Sequence, residues 1–152
     1  MDLSDIEAAL QKSMFFKGMS PHQREKIATL CTAQTYERGD RIFSQGELGQ
    51  HLYLILKGQV VLERSVNLSS RSGNVVINQL GPNRLLGCWS TLLNEPHMLL
   101  SSAVCQKTTT VLAFKGQALR AMLESELAVG FSMYEKLFFL MRYLIHHAYG
   151  SL

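Results

Sequence analysis

At 152 residues, with 47% apolar and 18% charged side chains, the chain has the length of one domain and enough apolar material to fill a core. Its formal charge of +3, without a dense Lys/Arg cluster, argues against a nucleic-acid surface. The longest apolar run near the C-terminus, Leu137-Phe138-Phe139-Leu140-Met141, falls far short of the ~20 residues of a membrane span. The opening MDLSDIEAAL is acidic where a secretory leader is basic, so the expected location is cytoplasmic. Cys31, Cys88 and Cys105 are odd in number and widely spaced, which predicts reduced thiols rather than a disulfide framework or a zinc site.

In chain order, Ser4-Asp5-Ile6-Glu7 has the Ser-x-x-Glu form of a capping box and predicts a helix from Asp5 to Gln11. After Phe15-Phe16 and a break at Gly18, Ser20-Pro21-His22-Gln23 starts a second helix with Ser20 as N-cap. It carries Ile27, Leu30 and Cys31 on one face and is expected to end near Ala33. From Thr35 to Arg64 the pattern turns to strands, Arg41–Phe43, His51–Leu56 and Gln59–Glu63, separated by Gly-Asp, Gly-Glu and Gly-Gln turns. The polar stretch Asn67 to Asn74 reads as a loop, and Val75 to Leu80 as the next strand. Short strands at this spacing indicate an antiparallel barrel or sandwich.

Gly81-Pro82 makes a turn, Leu85-Leu86-Gly87 leads into a short apolar helical turn at Trp89 to Leu93, and Asn94-Glu95-Pro96 breaks it. A glycine followed by one helical turn leaves backbone N–H groups that can hold an anion. Ser101 to Val104 returns as a strand, Thr108 to Phe114 is another, and Lys115-Gly116 turns the chain. From Gln117 to the end the pattern is helical throughout. Phe131, Tyr134, Phe138, Met141, Ile145 and Ala148 fall at alternating three- and four-residue steps, a heptad seam. Met133, Leu137, Leu140 and Leu144 form a second stripe about 100° round the helix. If one stripe packs on the domain, the other is left for a second copy, so a homodimer through this helix is expected.

Gly39-Asp40-Arg41-Ile42, Gly46-Glu47 and Leu52-Tyr53-Leu54-Ile55-Leu56-Lys57-Gly58-Gln59-Val60, preceded by Phe16 and Ser20, stand in a particular order and spacing. From Phe15 to Leu144 the chain resembles the cyclic-nucleotide-binding domain of the catabolite-activator type. The resemblance implies an α+β fold: an antiparallel, jelly-roll-like β-roll of eight strands, with a phosphate-binding cassette inside it and a last helix that serves as lid and dimer seam. It divides the single domain into N-terminal helices (1–34), a β-roll (35–114, cassette 81–105) and C-terminal helices (116–149).

The sequence departs from that family at the cassette. The family pattern is Phe-Gly-Glu-x-Ala-Leu-Leu followed by Arg-Ala or Arg-Ser, the glutamate taking the ribose hydroxyl and the arginine the cyclic phosphate. Gly87 matches the glycine, Cys88 stands at the glutamate, and the arginine position falls on His97, Leu99 or Leu100 according to where an insertion is placed. Two lost charge-assisted hydrogen bonds, at ~1.5–3 kcal/mol each, amount to roughly a 100- to 10,000-fold loss of affinity. Substitute phosphate partners are Arg84, Lys107, Ser101 and Ser102; the remaining candidate ligand-binding positions are Trp89 and Ser90. Leu85, Leu86, Trp89, Met98, Leu99 and Leu100 make the cassette apolar, and a pocket filled by its own side chains is the simpler expectation.

The sequence therefore predicts a non-catalytic sensory or regulatory module with no cofactor that has changed or lost its ligand; the alternatives are a genuine cyclic-nucleotide sensor with atypical contacts and a protein-interaction scaffold. A haem or redox sensor using His97, Cys88, His51 or His146-His147 is a further alternative. No nucleophile motif, paired carboxylates, HExxH or GK[ST] loop points to catalysis, and no metal site is expected. In relatives that bind DNA a helix-turn-helix domain follows the long helix. The last residues here are Gly150-Ser151-Leu152, so action through a protein partner, and not directly on DNA or a membrane, is the expectation.

Overall fold

A computed structural model describes residues 1–150. The chain is an antiparallel β-roll of two four-stranded sheets, with two helices before it and two after. One sheet has the order β1 (Cys31–Tyr36), β8 (Thr109–Lys115), β3 (His51–Lys57), β6 (Leu85–Gly87). The other has the order β2 (Arg41–Phe43), β7 (Ser102–Cys105), β4 (Val60–Leu68), β5 (Arg71–Leu80).

The two-residue period of β3 explains how the layers form. Leu52 and Leu54 point to one face and are buried against the helices, while Tyr53 and Ile55 point into the roll. On β8, Leu112 and Phe114 join the helical side and Val111 the interior. The first sheet is thus covered on both faces. The helical layer packs Ile6, Leu10, Phe16 and Ile27 from the N-terminal side with Leu119 and Met133 from the C-terminal side. Phe16 stacks on Phe114 with ring centroids 5.4 Å apart.

The helix starts and ends refine the sequence reading. The first helix, α1 (Leu3–Lys12), starts earlier than Ser4 would dictate, because Asp2 is its N-cap. Asp2 accepts from Asp5 N–H at 2.9 Å and Asp5 reciprocates to Asp2 N–H at 3.3 Å. The second, α2 (Pro21–Ala28), has the expected Ser20/Gln23 box, at 3.0 and 3.2 Å. It stops at Ala28, not near Ala33, because Cys31 to Tyr36 pair with β8 as a strand. The N-terminal helical part therefore ends before residue 34. The stretch from 67 to 74 is not a loop: β4 and β5 stay paired through Leu68↔Arg71, and only Ser69-Ser70 turn. The C-terminal helix is two helices, α3 (Gly116–Ser125) and α4 (Leu127–Gly150), separated at Glu126, whose φ and ψ of −121° and 74° leave the helical region. Glu126 Oε1 there accepts from Lys26 Nζ at 2.6 Å, tying the break to α2. Lys115-Gly116 is accordingly the passage from β8 into α3 rather than a free turn.

Candidate functional site

The cassette leaves β6 through Gly87 into a short 3-10 helix, Trp89–Leu93, as its sequence predicts. Gly87 has φ +118°, and a side chain there would strike the carbonyl oxygen of His51, so the position needs glycine twice over. The next amide, Cys88 N–H, donates to that same oxygen at 3.0 Å. This pins the first residue after Gly87 to the start of β3.

Cys88 and Leu99 meet inside the roll. Both border Gly49: a Cβ added there would collide with Cys88 Cβ and lie 2.8 Å from Leu99 Cδ2. Of the three positions at which the family's arginine is expected, His97 and Leu100 are exposed and Leu99 is buried. Leu99 is held by its backbone, its N–H donating to Glu47 O and its carbonyl accepting from Gly46 N–H, each at 2.8 Å. Around this pair lie Ile42, Phe43, Ile55, Val60, Leu86 and Val111. Cys88, at the family's glutamate position, and Leu99, one of the three positions expected for its arginine, both lie in this apolar cluster. Met98 and Leu100, expected to make the pocket apolar, instead face solvent, because an extended segment alternates its side chains about Leu99.

The other candidates scatter. Ser102 is buried, but its hydroxyl accepts from Gln45 N–H at 2.9 Å and faces a separate cleft with Arg41 and Glu63. Ser101 and Ser90 are half-buried. His97 is exposed, its Nδ1 2.9 Å from Met98 O. Lys107 lies in the β7–β8 turn, where its carbonyl accepts from Thr109 Oγ1 at 2.8 Å, and lines none of the pockets described here. His51 is half-buried at the start of β3, near Tyr53 and across from Lys115; burial and that lysine lower its pKa. Burial pushes the thiol of Cys31 up to about 11 and that of Cys105 upward. All three cysteines are free and buried. No group of three or more His, Cys, Asp or Glu is placed to hold a metal among the described residues.

An open pocket of about 630 Å3 remains beside the packed interior, displaced toward α4. Phe43, Leu62, Leu80 and Leu86 form its roll side, Phe15 and Trp89 one flank, and Lys136, Phe139, Leu140 and Tyr143 of α4 its cover. Space therefore stays open next to the cassette, beside the cluster that encloses Cys88 and Leu99. Gly87, Trp89 and Arg84 line this pocket and Cys88 does not. Lys136 and Phe139 enter the wall from α4, the helix that the resemblance makes both lid and dimer seam, and Asn83 enters it from the turn between β5 and β6; none of the three was singled out in the sequence.

The cassette is also tied to the C-terminal helices. Tyr134 OH donates to Leu92 O at 2.7 Å, and Arg120 donates to the same carbonyl. Tyr134 is half-buried and packs on the helical core, whereas Phe131, Phe138, Met141 and Ile145 are exposed. Of the second stripe, Met133 is buried and Leu137 and Leu140 pack on the helical core.

Residues 33–126 match the cyclic nucleotide-binding domain family, and the chain belongs to that family. The cyclic AMP receptor protein of Thermus thermophilus is 31% identical over 106 residues, 70% of this chain and 47% of that protein. The cAMP-dependent protein kinase regulatory subunit of Candida albicans is 37% identical over 68 residues, 43% of this chain and 13% of that protein. The chain thus spans about half the length of the first and a small part of the second. Among solved structures, a cyclic nucleotide-binding domain from Methylobacillus flagellatus superposes with a TM-score of 0.78 at 19% identity, covering 99% of this chain and 82% of that one. The Thermus thermophilus catabolite activator protein superposes at 0.71 with 29% identity, covering 88% and 61%. The eight-stranded roll with its long last helix is the fold of these proteins. No helix of the described residues is long and apolar enough to cross a membrane.

Proposed function

We propose that this chain is a non-catalytic regulatory module that keeps the cyclic-nucleotide-binding fold but does not hold a cyclic nucleotide by the usual pair of charged contacts. The observation that carries this reading is that Cys88, at the position of the ribose-binding carboxylate, and Leu99, one of three positions for the phosphate-binding guanidinium, both border Gly49 in an apolar cluster. The exposed side chains of Phe131, Phe138, Met141 and Ile145 support a second part of the proposal, that two copies pair through α4. On this reading the module acts in the cytoplasm, through a protein partner.

Calorimetric titration with cAMP and cGMP tests the ligand part. The loss of both charged contacts predicts affinity weakened roughly 100- to 10,000-fold relative to a binder that has them, that is, millimolar rather than micromolar. Saturable micromolar binding would sink the proposal. It would favour the second reading, a cyclic-nucleotide sensor that takes the phosphate on Arg84, which lines the pocket next to Gly87 and Trp89.

A further inference from the structure

The pocket under α4 is apolar over most of its wall, and its charges are of one sign. Arg84, from the turn before β6, and Lys136, from α4, line it together, and no carboxylate does. The ion pairs Lys26–Glu126 and Arg120–Glu124 involve neither of them. Lys136 Nζ donates to the carbonyls of Phe15 and Lys17 at 3.2 and 2.7 Å, which uses two of the three donors of an ammonium group. The third remains for another acceptor. The same pocket is lined by Phe15, Leu62, Trp89, Phe139 and Leu140.

At about 630 Å3 the space falls within the ~300–1,000 Å3 range of small-molecule pockets. Phe139 and Tyr143 are 51% and 63% exposed, so an occupant would take apolar surface out of water. The hydroxyls and ring nitrogens of a nucleotide would be desolvated against this wall, a cost that an alkyl or aryl body does not incur.

Building on the reading above, we propose that this pocket takes an apolar monocarboxylic acid, its hydrocarbon or aromatic body against Trp89 and Leu140 and its carboxylate on Arg84 and Lys136. Arg84 supplies a planar fork matched to a carboxylate, and Lys136 a fixed point charge.

The chain carries its own reporter, since Trp89 is its only tryptophan and lies in the pocket wall. The full chain is titrated with submicellar decanoate, with phenylbutyrate, with decanol as the uncharged counterpart and with cAMP, while Trp89 emission is followed. A saturable change is expected with an acid, with the two acids separating an aliphatic from an aromatic body, and decanol binding at least about tenfold more weakly. Arg84 is exposed, so Arg84→Gln leaves the fold intact by circular dichroism and weakens the acid about tenfold or more. Equal affinity for decanol and decanoate overturns the proposal, as does an unchanged acid affinity in Arg84→Gln. Silence toward both acids at millimolar concentration overturns it too. If that silence accompanies a dimer abolished by Phe139→Glu, the pocket belongs to a second copy. Micromolar cAMP binding overturns the underlying reading as well, whereas silence toward every compound removes only the ligand class.

Discussion

Cys88 and Leu99, inside the roll, are 1% and 8% exposed, while Phe138 and Met141, on the far half of α4, are 69% and 59% exposed. Both regions are apolar, and they differ in what surrounds them. The cassette is enclosed by two sheets whose strands alternate, so each inward side chain meets another across the roll. The helix meets the domain along one stripe, through Val129, Met133 and Leu137, and its seam turns away. An apolar side chain in the first region is spent on folding. In the second it is available for a partner or a ligand, and the pocket lies where the two regions meet.

Placing a charge in the closed region should produce the largest effect. Leu99→Arg puts a guanidinium into the apolar cluster beside Cys88 and Gly49, at a cost of ~3–5 kcal/mol read by denaturant unfolding. Adding Cys88→Glu should recover part of that cost and raise cyclic-nucleotide affinity. A double variant that is no more stable than Leu99→Arg would show that the two positions do not face one another as their shared contact at Gly49 implies.

Two substitutions on α4 sharpen the contrast within a single helix. Met133 is fully buried, so Met133→Ala should cost ~2–5 kcal/mol of folding stability. Phe138→Glu with Met141→Glu should change unfolding of the protomer by less than ~1 kcal/mol and weaken dimerisation on the order of 100-fold by sedimentation equilibrium. If the exposed pair destabilises the protomer as much as Met133→Ala does, the seam is part of the domain and not an interface.

How far these regions could be read from the sequence follows from the same physics. The roll was legible because short runs rich in apolar and β-branched residues are separated by glycine turns at close spacing. The strand Cys31–Tyr36 was not, since it lies at a sheet edge with only Cys31 buried and shows no apolar alternation. The stretch Arg71–Asn74 looked like a loop because every residue of it is exposed, and only its pairing to β4 makes it a strand. At the cassette, Gly87 and the missing glutamate were visible, but the choice among His97, Leu99 and Leu100 was not. Leu99 is the one of the three that is buried, and a turn such as Asn94-Glu95-Pro96 does not fix the register of the chain that leaves it. The wall supplied by Lys136 and Phe139 was illegible for a different reason. It depends on where α4 lies after the break at Glu126, and local periodicity does not encode that angle.

The smallest expected effect sits at the edge of the closed region. The carbonyl of His51 anchors Cys88 N–H, and its imidazole has a pKa lowered by burial and by Lys115. The unfolded chain therefore takes up this proton at higher pH than the folded one. Below the ordinary histidine value of about 6.5 the unfolded state binds more protons, so stability is full above that value and falls as the pH drops toward the lower folded pKa. Wild type should lose more thermal stability than His51→Gln when the buffer goes from about pH 7.5 to about pH 5.5, and the two should respond alike between about pH 7.5 and 8.5. Parallel curves across the acid range would mean that the ring accepts its proton in place. The floor beneath Cys88 would then be wetter than the packing around Leu99 implies, and the line between the closed interior and the open mouth would have to be drawn deeper in the roll.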